Sequence, residues 1–191
     1  MKDPYRLPMA LTLGGKNYPI NPDFRRVLQI ISVLEDPQWP EFLRWQVALE
    51  LFCPGVPDKH RSEAIELLAD FIRCGAADTP GPRLLDWEQD AHVIISDVNK
   101  VAGRELRAEE FVHWWTFLGW FHAIGQGQLS TLVAIRSKRA KGEKLESWEQ
   151  EFYQQNKAAV DLQPRLTPQE QAEKDALRRL LEEKPPKASL V

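Results

Sequence analysis

Cysteine, histidine and long apolar runs are all scarce in this chain of 191 residues, which contains only two cysteines and four histidines. Cys53 and Cys74 lie far apart, with no second Cys or His at ligand spacing, which argues against a zinc site. Both are expected as buried free thiols in a reducing compartment. No stretch approaches the roughly 20 apolar residues of a membrane span, and Met1 to Arg6 lacks the apolar run of a signal peptide. The chain is therefore expected to stay in the cytoplasm where it is made, without membrane contact. A phosphate loop, a dinucleotide glycine fingerprint, a nucleophile elbow and a zinc-protease His-Glu-x-x-His are all missing as well. The reading is a non-enzyme without a cofactor. A net charge of −3 supplies no global field toward nucleic acid or anionic lipid, so either role would need a local basic patch.

What is present is an ordinary globular composition, 43% hydrophobic and 28% charged, which excludes wholesale disorder, in a chain long enough for one filled domain. Leu11 to Leu13 and Asn17 to Ile20 flank Gly14-Gly15, a pair able to take the positive φ angles of a tight hairpin turn, with Pro19 suited to a strand end. Helical spacing then dominates. Asn21-Pro22 reads as a helix start ahead of Phe24, Val27, Leu28, Ile31 and Leu34, ended by Asp36-Pro37. Further helices are predicted over Pro40 to Phe52 and Asp58 to Arg73, the latter stopped by Gly75 in the left-handed conformation. A surface loop covers Ala76 to Arg83. A capping box at Asp86-Trp87-Glu88-Gln89 opens a helix to Gly103, and Ser147-Trp148-Glu149-Gln150 repeats that opening. Helices over Ala108 to Ile124 and Ser130 to Lys141 lie between them, ended by Gly125-Gln126-Gly127 and Gly142. Thr167-Pro168-Gln169-Glu170 starts a charged helix through Glu183, followed by Pro185-Pro186. The fold class is mainly α: a compact multi-helix domain over residues 1–163 with a small N-terminal β-hairpin, then a charged helical extension over 164–191.

Several groups of residues invite a functional reading. Glu110-Phe111-Val112-His113 matches one Glu-x-x-His element of a di-iron bundle, but a second copy is missing, so His113 reads as a structural histidine. His60, His92 and His122 are scattered and read the same way. Arg136, Lys138, Arg139, Lys141 and Lys144 form the one basic run, able to meet phosphates or an acidic protein surface, or simply to complement a helix C-terminus. On the wheel of the aromatic helix Phe111, Trp115, Leu118 and His122 share one side, and Trp114, Phe117, Phe121 and Ile124 the next. Such a helix belongs in the core, and Trp115 lies in the middle of what reads as the most buried helix. His113, Thr116 and Trp120 occupy the remaining, most polar strip, where Trp120 would stand out as an anchor for a partner. The last helix offers a narrow stripe, Ala172, Ala176, Leu177, Leu180 and Leu181, outside the core and open to another protein. The protein-binding candidates are thus His113, Thr116, Trp120, Arg136, Lys138, Leu177 and Leu181.

The order of these pieces resembles the bacteriophage gene-product-fifteen family. The matching segments are Ile20-Asn21-Pro22-Asp23-Phe24-Arg25, Asp36-Pro37, Phe71-Ile72-Arg73-Cys74-Gly75, Leu85-Asp86-Trp87-Glu88-Gln89-Asp90-Ala91, His113-Trp114-Trp115-Thr116-Phe117-Leu118, Ile135-Arg136-Ser137-Lys138, and Glu151-Phe152-Tyr153 through Asn156-Lys157. They run in the family's order to about Leu162. Trp87 stands where the family commonly has phenylalanine, which keeps an aromatic. Beyond Gln163 no family pattern continues. The resemblance brings no catalytic residues. It implies a protein of the tail region of tailed phages and prophages, similar to tail assembly chaperones, which hold the tape-measure protein in the cytoplasm of the bacterial host until tail-tube subunits polymerise. Other tail assembly factors and a second copy of the chain are further partners compatible with it. The rival readings are a minor tail or connector component retained in the virion, and a nucleic-acid-binding accessory protein using Arg136 to Lys144.

Overall fold

The computed structural model describes residues 5–76 and 81–182. Strands β1 (Ala10–Leu13) and β2 (Lys16–Pro19) form an antiparallel hairpin in which Leu11 faces Tyr18 and Leu13 faces Lys16. Gly14 and Gly15 have φ of 54° and 77°, the positive pair that a two-residue turn of matching twist demands. Alternation then sorts the strand: Leu11 and Leu13 enter the core, while Ala10 and Thr12 stay outside.

Helix α1 (Phe24–Glu35) starts two residues later than the Asn21-Pro22 signal suggests. Its cap is Asp23, whose carboxylate accepts from the Arg25 N–H at 3.0 Å. Asn21 instead joins the hairpin to α2 (Glu41–Phe52), its N–H donating to the Phe52 carbonyl at 2.7 Å. A single 3₁₀ turn (Asp58–His60) leads into α3 (Arg61–Ile72). Both Cys74 and Gly75 follow it with positive φ, so the helix stop uses two left-handed residues. Cys53 is buried as expected, but Cys74 is exposed, because a residue past a left-handed helix stop points away from the core. The loop expected over Ala76 to Arg83 lies partly outside the described residues, and Pro185-Pro186 wholly so.

The capping signal at Asp86 is half correct. Asp86 accepts from the N–H groups of Glu88 and Gln89, both at 2.8 Å, but Gln89 does not reach back. The Asp90 carboxylate takes that place, accepting from the Asp86 N–H at 3.0 Å, and α4 (Ala91–Ala102) begins only after this turn, ending at left-handed Gly103. The aromatic helix is likewise shorter than its periodicity suggests. Leu106–Ala108 form a 3₁₀ turn, residues 109–113 are not helical, and α5 spans Trp114–His122. Next come α6 (Gln128–Ala140), α7 (Ser147–Gln155), the short α8 (Lys157–Val160) and α9 (Pro168–Glu182). The α7 cap is Glu146, one residue before the expected Ser147, with Glu149 accepting from its N–H. At α9 the Thr167–Glu170 box closes in both directions.

One hydrophobic core joins the hairpin to α1 through α5, with Leu129 of α6 at its margin. A satellite cluster of Leu132, Ile135 and Val160 ties α6 to α8, helped by Leu145, Phe152 and Tyr153. The α6 start is welded to α4 by Asp97, a buried carboxylate that accepts from the Leu129 N–H at 3.0 Å. Gly127 passes so close that a Cβ there would sit 2.7 Å from the Asp97 carboxylate. No helix among the described residues is long and apolar enough to cross a membrane.

Candidate protein-binding site

The aromatic helix spends its indoles on the interior. Trp114 is buried and its Nε1 donates to the Ile72 carbonyl at 2.8 Å; the Trp115 Nε1 donates to the Phe71 carbonyl at 2.9 Å. These are carbonyls in the last turn of α3, beyond its regular i→i+4 ladder, and the Phe71 carbonyl also accepts from the Cys74 N–H at 3.1 Å. Phe117 stacks on Phe24, and Trp87 and Trp114 meet edge to face, so this cluster is a packing device. Trp115, expected in the middle of the most buried helix, is only half-buried against Phe71. Trp120 is not the open anchor expected: it is half-buried against the core and covered by the Arg104 guanidinium 5.3 Å above its ring. Thr116 is half-buried too.

His113 does not share a helical strip with Thr116 and Trp120, because it precedes the helix as its cap. Its Nδ1 accepts from the Trp115 N–H at 3.1 Å, which leaves the proton on Nε2, 3.0 Å from the Pro8 carbonyl. Both nitrogens are thereby engaged within the protein, and neither is directed to a metal. Burial pushes the imidazole below its ordinary pKa, against the opposing hydrogen bond to Pro8. Around it, the two family-like segments are stitched together. The Phe24 N–H donates to Val112 O at 2.9 Å, and the Trp114 N–H to Pro22 O at 2.7 Å. Asp23 receives the Val112 N–H at 3.0 Å, and Arg25 reaches the carbonyls of Leu106 and Glu109.

The basic run is split: Arg136 and Lys138 turn to partners within the protein, while Arg139, Lys141 and Lys144 are exposed. Arg136 is 5% exposed, and its guanidinium binds Asp90 in a fork, at 2.6 and 2.8 Å. Its other donors meet the carbonyls of Val160, Ala159 and Leu84. Lys138 holds the buried Glu149 at 2.7 Å, which lowers the Glu149 pKa and raises its own, and Arg139 pairs with Asp161. This cluster fastens α6, α8 and the Asp86–Asp90 turn to one another.

Of the expected binding residues, only Leu177 stands open, at 59% exposure; Leu181 lies one turn further along α9, and its side chain is outside the described residues. Trp39 and Phe42, at 48% and 63%, are more exposed than any aromatic of α5. A cleft of about 460 Å³ lies between Asp36-Pro37-Gln38, the residues just before Trp39 in the chain, and the strap Gln163 to Leu166, with Gln171 and Lys174 of α9 on its wall. Gln38 donates to the Leu166 carbonyl at 2.6 Å, and Arg165 bridges Glu35 and Asp86. Burial alone would raise the Asp86 pKa. The N–H groups of Gln89 and Glu88 and the Arg165 guanidinium outweigh it and bring the carboxyl down to about 2. Sequence reasoning missed Trp39, Phe42 and Arg165. The one available signal was the density of aromatics at the start of α2, where Trp39, Phe42 and Trp45 fall within seven residues.

A family model described as Bacteriophage Gp15 protein matches residues 4–162, ending just before the strap and α9. Searches of curated proteins and of solved structures return no match.

Proposed function

The chain belongs to the bacteriophage Gp15 family, and from that premise we propose that this phage morphogenesis protein is a tail assembly chaperone, which binds the tape-measure protein before the tail tube polymerises around it. It acts by stoichiometric binding in the cytoplasm of the bacterial host, without catalysis. The supporting observation is the exposure of Trp39 and Phe42, which follow the Asp36–Gln38 wall of the strap cleft in the chain, and of Leu177 on α9. A factor that shields an aggregation-prone helical client must offer apolar contact, as in helix-in-groove recognition, and large exposed aromatics are the side chains that carry such binding. The neutralised state of Arg136, Lys138 and Arg139 favours this apolar mode over binding to nucleic acid.

The test is co-expression with the tape-measure protein and pull-down at low and high salt. Replacing Trp39 and Phe42 together by alanine is expected to lower capture at least about tenfold with little change in melting temperature, since hot-spot aromatics carry 2 kcal/mol or more. Full capture by that variant at both salt concentrations would refute the proposal. Mass spectrometry of purified virions separates the chaperone from a retained tail or connector component, because a chaperone leaves before completion.

A further inference from the structure

The hairpin has one edge that nothing in the protein pairs. The Ile20 N–H donates to Met9 O at 3.1 Å, and with the observed register this makes Leu11–Tyr18 and Leu13–Lys16 the hydrogen-bonded pairs. The backbone N–H and C=O groups of Ala10 and Thr12 therefore point away from β2, and no other group among the described residues meets them. The preceding outward carbonyl, that of Pro8, is taken by His113, so the open edge begins immediately after it. Ala10 and Thr12 border a mainly apolar cleft of about 310 Å³ whose far wall is Leu67, Phe71 and Trp115. On the outer flank of Leu67, α3 exposes Glu63, Glu66 and Asp70. His60 leans on Glu63 and Arg73 on Asp70, whereas Glu66 has no ion partner among the described residues.

We propose that the free edge of β1 binds an extended segment of another protein by strand addition, with an apolar side chain in the Leu67–Phe71–Trp115 cleft and a lysine or arginine beside the acidic flank of α3. The occupant follows from the chemistry of the site. Unpaired strand-edge donors and acceptors are matched by an extended backbone, the cleft selects apolar side chains at alternate positions, and the carboxylates select cations. Exposed Leu7 and Met9 continue the apolar face of the strand past its buried Leu11 and Leu13, giving a longer segment more to cover. These residues differ from Trp39, Phe42 and Leu177, so this surface works whether or not the tape measure is the client.

The experiment uses the full chain, isotope-labelled, and an acetylated, amidated heptapeptide alternating lysine and valine. Saturating peptide is expected to slow amide exchange at Ala10 and Thr12 at least about tenfold, because those amides become strand-paired. The same peptide N-methylated at alternate residues should bind at least about tenfold more weakly, since it cannot complete the ladder. Thr12→Pro should have the same effect on the unmethylated peptide while sparing the β1–β2 ladder, because the Thr12 N–H faces outward and an edge position tolerates proline. If that variant does not fold, the two peptides on the unaltered chain decide. Absence of protection at millimolar peptide, or equal binding of the N-methylated peptide, would overturn the proposal. So would protection that appears without peptide and grows with protein concentration alongside a sedimenting dimer, which would make a second copy the occupant.

Discussion

Arg136 and Asp90 form a two-pronged ion pair inside the protein, 4% and 2% exposed at their side chains, with every guanidinium nitrogen engaged. Removing one partner of such a pair leaves an uncompensated buried charge. Arg136→Met is expected to cost about 3–5 kcal/mol in urea denaturation, with part of the loss recovered when Asp90→Leu is added. A loss below about 1 kcal/mol would show that the pair is open to water.

Trp114 and Trp115 are neighbours with different fates. Trp114→Ala removes a fully buried indole and its bond to α3, at an expected cost of about 3–5 kcal/mol. Trp115→Ala, at a half-buried site, should cost about 1–3 kcal/mol. Equal losses in chemical denaturation would contradict this ordering.

Protonating His113 would place a hydrogen on the nitrogen that accepts from the Trp115 N–H. Its folded pKa lies below the ordinary 6.5, so the unfolded chain binds the proton more readily. This contribution to stability is complete above 6.5 and shrinks as pH falls from there toward the lowered value. His113→Asn keeps a capping acceptor without a titrating ring. Melts of both proteins between pH 7 and about 5 should show a shallower decline for the variant; parallel curves would assign the effect elsewhere.

The strap after Gln163 carries stabilising contacts although it lies beyond the family match. Truncation after Thr167 keeps the bonds of Arg165 and Leu166, whereas truncation after Gln163 removes them. Both shortened chains should unfold cooperatively, the shorter one at a lower temperature, by about 2–4 °C for each kcal/mol lost. Loss of a cooperative transition in the longer form would mean that α9 belongs to the folding unit.

Arg165 also helps hold Asp86 ionised, since that carboxyl titrates at about 2 against an ordinary 3.8. The stability this supplies is present above 3.8 and is lost as pH falls toward 2. Arg165→Met should therefore move the acid-unfolding midpoint to higher pH, as followed by circular dichroism. An unchanged midpoint would show that the backbone N–H donors and Arg83, which also pairs with Asp86, hold the carboxylate without Arg165.

Local chemistry determined much of this protein from the sequence alone. Gly14-Gly15 specifies the hairpin turn, Gly103 and Gly142 stop helices, and Thr167 with Glu170 caps α9, because each depends on residues within one turn of chain. Periodicity likewise identified the core face of α1 through Val27 and Ile31. Only the tertiary structure decided which polar groups those elements would enclose. Arg136 reads as the start of a basic run until Asp90, 46 residues away, meets it inside. His113 reads as a helical residue until Pro22 and Pro8 claim the backbone and ring around it. Trp120 reads as an exposed anchor until Arg104 covers it, while Trp39 and Phe42, unremarkable in the pattern, are left outside. Burial of a charge or an aromatic depends on distant partners that a periodic pattern does not encode, whereas turns and caps are settled by near neighbours.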